Sequence, residues 1–199
     1  MKTFSHDNSW NYFEELLKQK ISAKDAWENL IDFHEKVKEK IYWKDLTNIN
    51  VISEQKEVKH WLQSIVLKNP IPNEVRALWI GITKFEDQNL KKEIFAIYLQ
   101  GSASYDAEEI DWASDPIYEP EGAYVALKNL NLISQFLESD KVDAPFLIQL
   151  LPLAYCSFLL DEIFQSQLDK EKFTFYKSKL YITTGYDSGA YQNLSILKK

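Results

Sequence analysis

The sequence predicts an α+β fold: N-terminal helices, antiparallel hairpins and two further helices sharing one core, as a single α+β domain over residues 1–199. Three observations carry this. Through residues 8–68 apolar side chains recur at spacings of three and four, the helical period. Beyond the break at Asn69-Pro70-Ile71-Pro72-Asn73 the chain turns to runs rich in β-branched and aromatic residues. It also holds 6 Trp, 11 Tyr and 11 Phe, enough bulk to fill an interior without disulfides, since Cys156 is its one cysteine.

Each element follows in order. A first helix carries Trp10, Phe13 and Leu17 on one side. Ser22 caps a second, whose stripe is Ala23, Ala26, Trp27, Leu30, His34, Val37 and Ile41. Ser53 caps a third, with Val58, Leu62 and Ile65 inward, so three N-terminal helices are expected. Val75 to Thr83 and Glu93 to Gln100 read as two largely buried strands joined by the polar turn Glu86-Asp87-Gln88-Asn89. Tyr105 to Glu121 has no period and contains Pro116 and Pro120, which predicts a long ordered loop anchored by Tyr105, Trp112 and Tyr118.

Helical spacing returns with Ala123, Ala126, Leu127, Leu130, Ile133 and Leu137. The apolar run Ala144 to Leu160 contains Pro145, Gln149, Pro152 and Ser157 and is closed by Asp143 and Asp161. It reads as a central buried helix from Pro145 to about Phe164, kinked or ended near Pro152, and not as a membrane span. Phe173 to Thr184 alternates like a strand, and Gly185-Tyr186-Asp187-Ser188-Gly189 turns the chain into a last short strand between Ala190 and Leu197.

Composition narrows the function classes. Net charge is -7 and Arg76 is the only arginine, which is the opposite of a phosphate-binding surface, so no nucleic-acid partner is expected. The opening Met1-Lys2-Thr3-Phe4-Ser5-His6-Asp7 lacks the pattern of a secretory leader, and with one cysteine a cytoplasmic location is expected. His6, His34 and His60 are not spaced as zinc ligands. Neither Ser102 nor Ser188 sits in a nucleophile elbow, and Cys156 lies among Leu153, Ala154, Tyr155, Phe158 and Leu159, a setting for packing and not for attack. No phosphate-binding glycine loop is present, so no cofactor is expected.

The local charge is uneven. From Glu93 to Leu127 there is no Lys or Arg, yet the segment holds Glu93, Asp106, Glu108, Glu109, Asp111, Asp115, Glu119 and Glu121. Gathered on one face, those carboxylates create a negative field that steers a basic protein partner. The expected partner-binding residues are therefore Asp106, Glu108, Glu109, Asp111, Asp115, Glu119 and Glu121. Ordinary solvation of a polar loop accounts for the same residues. Two other readings stay open. Asp106 and Asp111 can be paired carboxylates or metal ligands of a hydrolase, and Trp79, Tyr98, Trp112 and Tyr118 can line a pocket for a small molecule or peptide.

The runs Ala77-Leu78-Trp79-Ile80-Gly81-Ile82 and Ile97-Tyr98-Leu99-Gln100-Gly101-Ser102 stand with Tyr105-Asp106, Asp111-Trp112 and Gly185-Tyr186-Asp187-Ser188-Gly189. Together they resemble bacterial immunity-type and uncharacterised proteins of toxin neighbourhoods, over the second half of the chain. In such proteins an acid often follows the last glycine, where this chain has Ala190. The resemblance implies a non-enzymatic protein that binds and blocks a cognate toxin, and the local acidity suits a basic toxin surface.

Overall fold

The computed structural model describes residues 4–38, 43–87, 92–138, 144–175, 177–187 and 189–198. Met1, Lys2 and Thr3 of the opening segment, Ile41 of the second helical stripe, Gln88 and Asn89 of the turn, Asp143, and Ser188 lie outside the described residues.

The N-terminal part is helical, as its period requires. Helix α1 spans His6–Lys18 and α2 spans Ala23–Val37. The Ser22 hydroxyl accepts from the Asp25 backbone N–H at 3.1 Å and caps α2. The remaining helices of this part are α3, Trp43–Thr47, and α4, Val51–Lys68. This corrects the sequence reading twice. A fourth, short helix is present because Trp43 and Leu46 are both buried, and the Leu46 carbonyl accepts from the Trp27 indole at 2.8 Å. The cap of α4 is Asn50, whose side chain accepts from the Ser53 N–H at 3.1 Å, so Ser53 lies inside the first turn.

Strands β1, Ala77–Asp87, and β2, Lys92–Ser102, pair antiparallel along their whole length, with Gly81 opposite Tyr98. The segment beyond them contains a 3-10 turn at Ile110–Ser114 and an isolated bridge from Tyr118 to Gly101 before β3, Tyr124–Ala126. Here the helical expectation for Ala123 and Ala126 fails: Val125 pairs with Ile97 on the edge of β2, and helix α5 occupies Lys128–Glu138. Helix α6 spans Leu147–Glu162 and continues into a π-helical turn, Ile163–Gln167. It does not end at Pro152. The carbonyl left without a donor is that of Ile148, a residue exposed on the surface of the helix, so the lost bond is not a buried one. The run Leu147–Gln167 has the length and composition to cross a membrane, and 78% of its apolar window is buried inside the fold.

The chain ends with helix α7, Lys170–Phe173, and strands β4, Lys179–Gly185, β5, Tyr191–Asn193, and β6, Leu197–Lys198. Phe173 is therefore helical, and the predicted strand begins later. The sheet is mixed, in the order β3-β2-β1-β4-β5, with β6 also on β4. β1 and β4 are parallel, joined through the α5–α6–α7 crossover.

Alternation along the strands divides the sheet between two apolar clusters. Leu78, Ile80, Ile82, Ile97, Leu99, Leu180 and Ile182 belong to the main core, with the helices. Ala77 and Trp79 belong to a second cluster with Trp112 and Ala113, against which Tyr98, Tyr181 and Tyr191 pack. Both faces are thus covered, which is why the strands read as continuous apolar runs. Helices cover one face, and the acidic segment lies over the other.

Candidate functional site

The acidic segment is held over the outer sheet face by aromatic side chains and by hydrogen bonds to its backbone. Tyr105 stacks on Tyr181 with ring centroids 3.9 Å apart, and Trp112 meets Trp79 edge-on at 6.3 Å. The Gln100 side chain donates to the Ala113 carbonyl at 2.6 Å. Tyr191 donates from its hydroxyl to the Glu108 carbonyl at 3.1 Å, and Asn193 donates to that of Ala107 at 2.9 Å. At the far end Tyr118 bridges to Gly101 and donates to the Asn69 carbonyl at 2.6 Å. Burial pushes the Tyr118 phenol up to about 12, so it remains a donor at any physiological pH. The three predicted anchors, Tyr105, Trp112 and Tyr118, all hold the segment.

With its backbone bound to the sheet, the segment directs its acids outward. Asp106, Glu108, Glu109, Asp111, Asp115, Glu119 and Glu121 are all exposed. None of them is ion-paired among the described residues. Asp106 accepts from the Glu108 N–H at 2.8 Å, a local turn that fixes the start of the acidic run. Asp106, Glu108 and Glu109 share one neighbour. The Tyr191 phenol is held above its ordinary value by burial and then by the charges of Glu108, Glu109 and Asp106. Glu119 sits elsewhere, on a cleft. Asp111 lies in the 3-10 turn, and Asp115 and Glu121 flank the bridge at Tyr118.

The cleft has a volume of about 360 Å³ and lies between the segment and the sheet. Its walls include Trp79, Tyr98, Ile110, Pro116, Glu119 and Asp187. The Trp79 indole donates to the Tyr98 hydroxyl at 3.0 Å, and that hydroxyl donates onward to the Asp187 carboxylate. Burial and then the Asp187 bond push the Tyr98 phenol well above its usual range, so it stays protonated as the donor. Gly81 makes this possible, because a Cβ there would clash with the Cε1 and Cζ atoms of the Tyr98 ring. Tyr98 also stacks on Tyr124, 5.4 Å away.

Of the four aromatics considered for a pocket, Trp79 and Tyr98 line the cleft, Trp112 backs Trp79, and Tyr118 joins the main core. Asp106 and Asp111 are solvent-facing and do not line this cleft. Among the described residues no group of three or more His, Cys, Asp or Glu is placed to hold a metal ion. Asp187 was not among the predicted residues. Its one sequence signal was its place in the glycine-flanked C-terminal turn.

A buried carboxylate also escaped the sequence. Glu54, on the first turn of α4, accepts from the Asn129 N–H at 2.9 Å and from the Tyr155 hydroxyl at 2.8 Å. It caps the start of α5, where a negative charge meets unpaired N–H groups. Burial raises its pKa, while the Asn129 and Tyr155 bonds pull it down. Nearby Cys156 is fully buried and its thiol is pushed well up by desolvation, in keeping with a packing role.

Comparison of the chain with protein-family models, curated proteins and solved structures gives no match. Fold and site together define an α+β chain with an acidic segment anchored to the sheet and its carboxylates exposed.

Proposed function

We propose that the chain is a non-enzymatic binding protein of the immunity type, acting in the cytoplasm, which neutralises a basic toxin through its acidic segment. One observation carries this reading. Seven exposed carboxylates, none ion-paired among the described residues, stand on a segment whose backbone is fixed to the sheet. Such a surface meets a basic partner without a large ordering cost and draws it by long-range attraction. The resemblance to proteins of toxin neighbourhoods agrees in kind.

The test is co-production in bacteria with the product of the adjacent gene. A growth defect caused by that product, relieved by this chain and restored by Glu108→Lys/Glu109→Lys/Asp111→Lys, supports the reading. Absence of both relief and a complex on co-purification contradicts it.

A further inference from the structure

Within the acidic face, the cleft beneath Glu119 differs from the rest, because it adds depth and aromatic walls to the charge. We propose that it receives a lysine or arginine side chain of the basic protein partner, with Glu119 and Asp187 as counter-ions and Trp79 and Tyr98 as walls. This rests on the binding reading above and specifies where the partner is anchored.

Four features select a cationic side chain. The cleft residues include two carboxylates and no Lys, Arg or His, so an anion is repelled and a cation is complementary. Glu119 makes no described hydrogen bond or ion pair, and Asp187 uses one oxygen for Tyr98 and retains the other. Trp79 is buried and Tyr98 is packed between Gly81 and Tyr124, so the two rings form a fixed wall of the cleft. Ile110 and Pro116 give the methylene stem an apolar surface to lie against. A volume of about 360 Å³ accommodates one long side chain.

The walls are preorganised. Tyr98 is held between the Trp79 donor and the Asp187 acceptor, over a glycine and against Tyr124, and Trp112 supports Trp79 from behind. A side chain entering the cleft therefore finds its partners in place. A protein side chain suits the site better than a free amine. The cleft is open to solvent, and a small amine gains few contacts there, whereas a side chain is delivered by the flanking contacts of a whole interface.

The probe is a blocked Gly-Arg-Gly peptide, with its lysine and neutral citrulline counterparts and butylammonium as controls. Binding is read by NMR from the Trp79 indole N–H, assigned by its loss in Trp79→Phe. The arginine and lysine peptides shift this signal saturably, citrulline does not, and Glu119→Gln/Asp187→Asn weakens binding at least ~10-fold, as expected for loss of paired charges. The amide spectrum of each variant confirms folding, and Tyr98→Phe, which keeps the ring, serves as a milder second variant with intermediate binding. A non-saturable shift, an equal response to citrulline, or unchanged binding by the double variant overturns the proposal. Butylammonium binding as tightly as the peptides overturns the assignment to a protein side chain.

The triple variant Glu108→Lys/Glu109→Lys/Asp111→Lys separates the two readings. Read at high ionic strength, its peptide binding in the cleft falls far less than that of Glu119→Gln/Asp187→Asn, because none of the three lines the cleft. A silent cleft beside charge-sensitive binding of oligolysine removes this proposal and leaves the acidic face standing.

Discussion

Lowering the pH tests the buried His34. Its side chain is fully buried; Nε2 lies 3.0 Å from the Ser9 hydroxyl, and Nδ1 has no partner among the described residues. The ring stacks on Trp43 at 5.3 Å and meets the edges of Phe4 and Phe33. Protonation would place a charge among aromatics and a donor where no acceptor waits, so burial lowers the pKa from 6.5 to about 4. The unfolded chain binds the proton first. His34 therefore leaves stability intact above pH 6.5 and removes it as pH falls towards 4, with no further loss below. At about 1.4 kcal/mol per unit the loss reaches about 3 kcal/mol at pH 4, a large share of the ~5–15 kcal/mol of an ordinary domain.

Glu54 acts in the opposite sense. Its raised pKa means that the folded chain takes up its proton more readily, which adds stability as pH falls. The comparison that isolates His34 is urea unfolding of the wild-type chain and His34→Leu between pH 7 and pH 4. Glu54 is common to both chains and cancels. The expected gap between them changes by about 3 kcal/mol in favour of the variant as the pH is lowered. Parallel stability curves would refute the buried, neutral histidine.

Three further outcomes follow from particular contacts. Ser22→Ala removes the cap of α2 and lowers stability by about 1 kcal/mol, measured by thermal or urea unfolding, without changing the NMR signals of the cleft. Gly81→Ala forces the Tyr98 ring aside and costs about 1–3 kcal/mol, with a displaced Trp79 indole signal; a variant as stable as the parent would contradict the packing. Cys156, fully buried with a raised pKa, reacts with a maleimide only as fast as the chain opens; labelling as rapid as that of a free thiol would show that α6 is not central.

Much of this architecture is legible locally. The Ser22 cap, the α2 stripe, the β1–β2 pairing and the C-terminal hairpin each follow from residues near one another in sequence. The errors arise where distant parts decide. Ala123, Ala126, Leu127 and Leu130 imitate a helical stripe, but the first two belong to backbone that hydrogen-bonds along β2. Glu54 reads as one more surface acid until α5 presents its N–H groups to it. At the site, the acidic bias was visible and the exposure of its seven acids accords with it. The placing of Glu119 and Asp187 on one cleft was not visible, because only the pairing of β4 with β1 brings the C-terminal turn within reach of Tyr98 on β2.

The most direct measurement is the salt-dependent association rate of the chain with an oligolysine peptide. Glu108→Lys/Glu109→Lys/Asp111→Lys is compared with a control reversing three exposed acids elsewhere, Glu15, Glu57 and Glu171, for the same change in net charge. If the acidic segment is the docking face, its reversal slows association at least ~10-fold at low salt, the control has a much smaller effect, and the gap closes at high salt. Equal slowing by both sets, or none by the first, would mean that overall charge and not this surface governs binding.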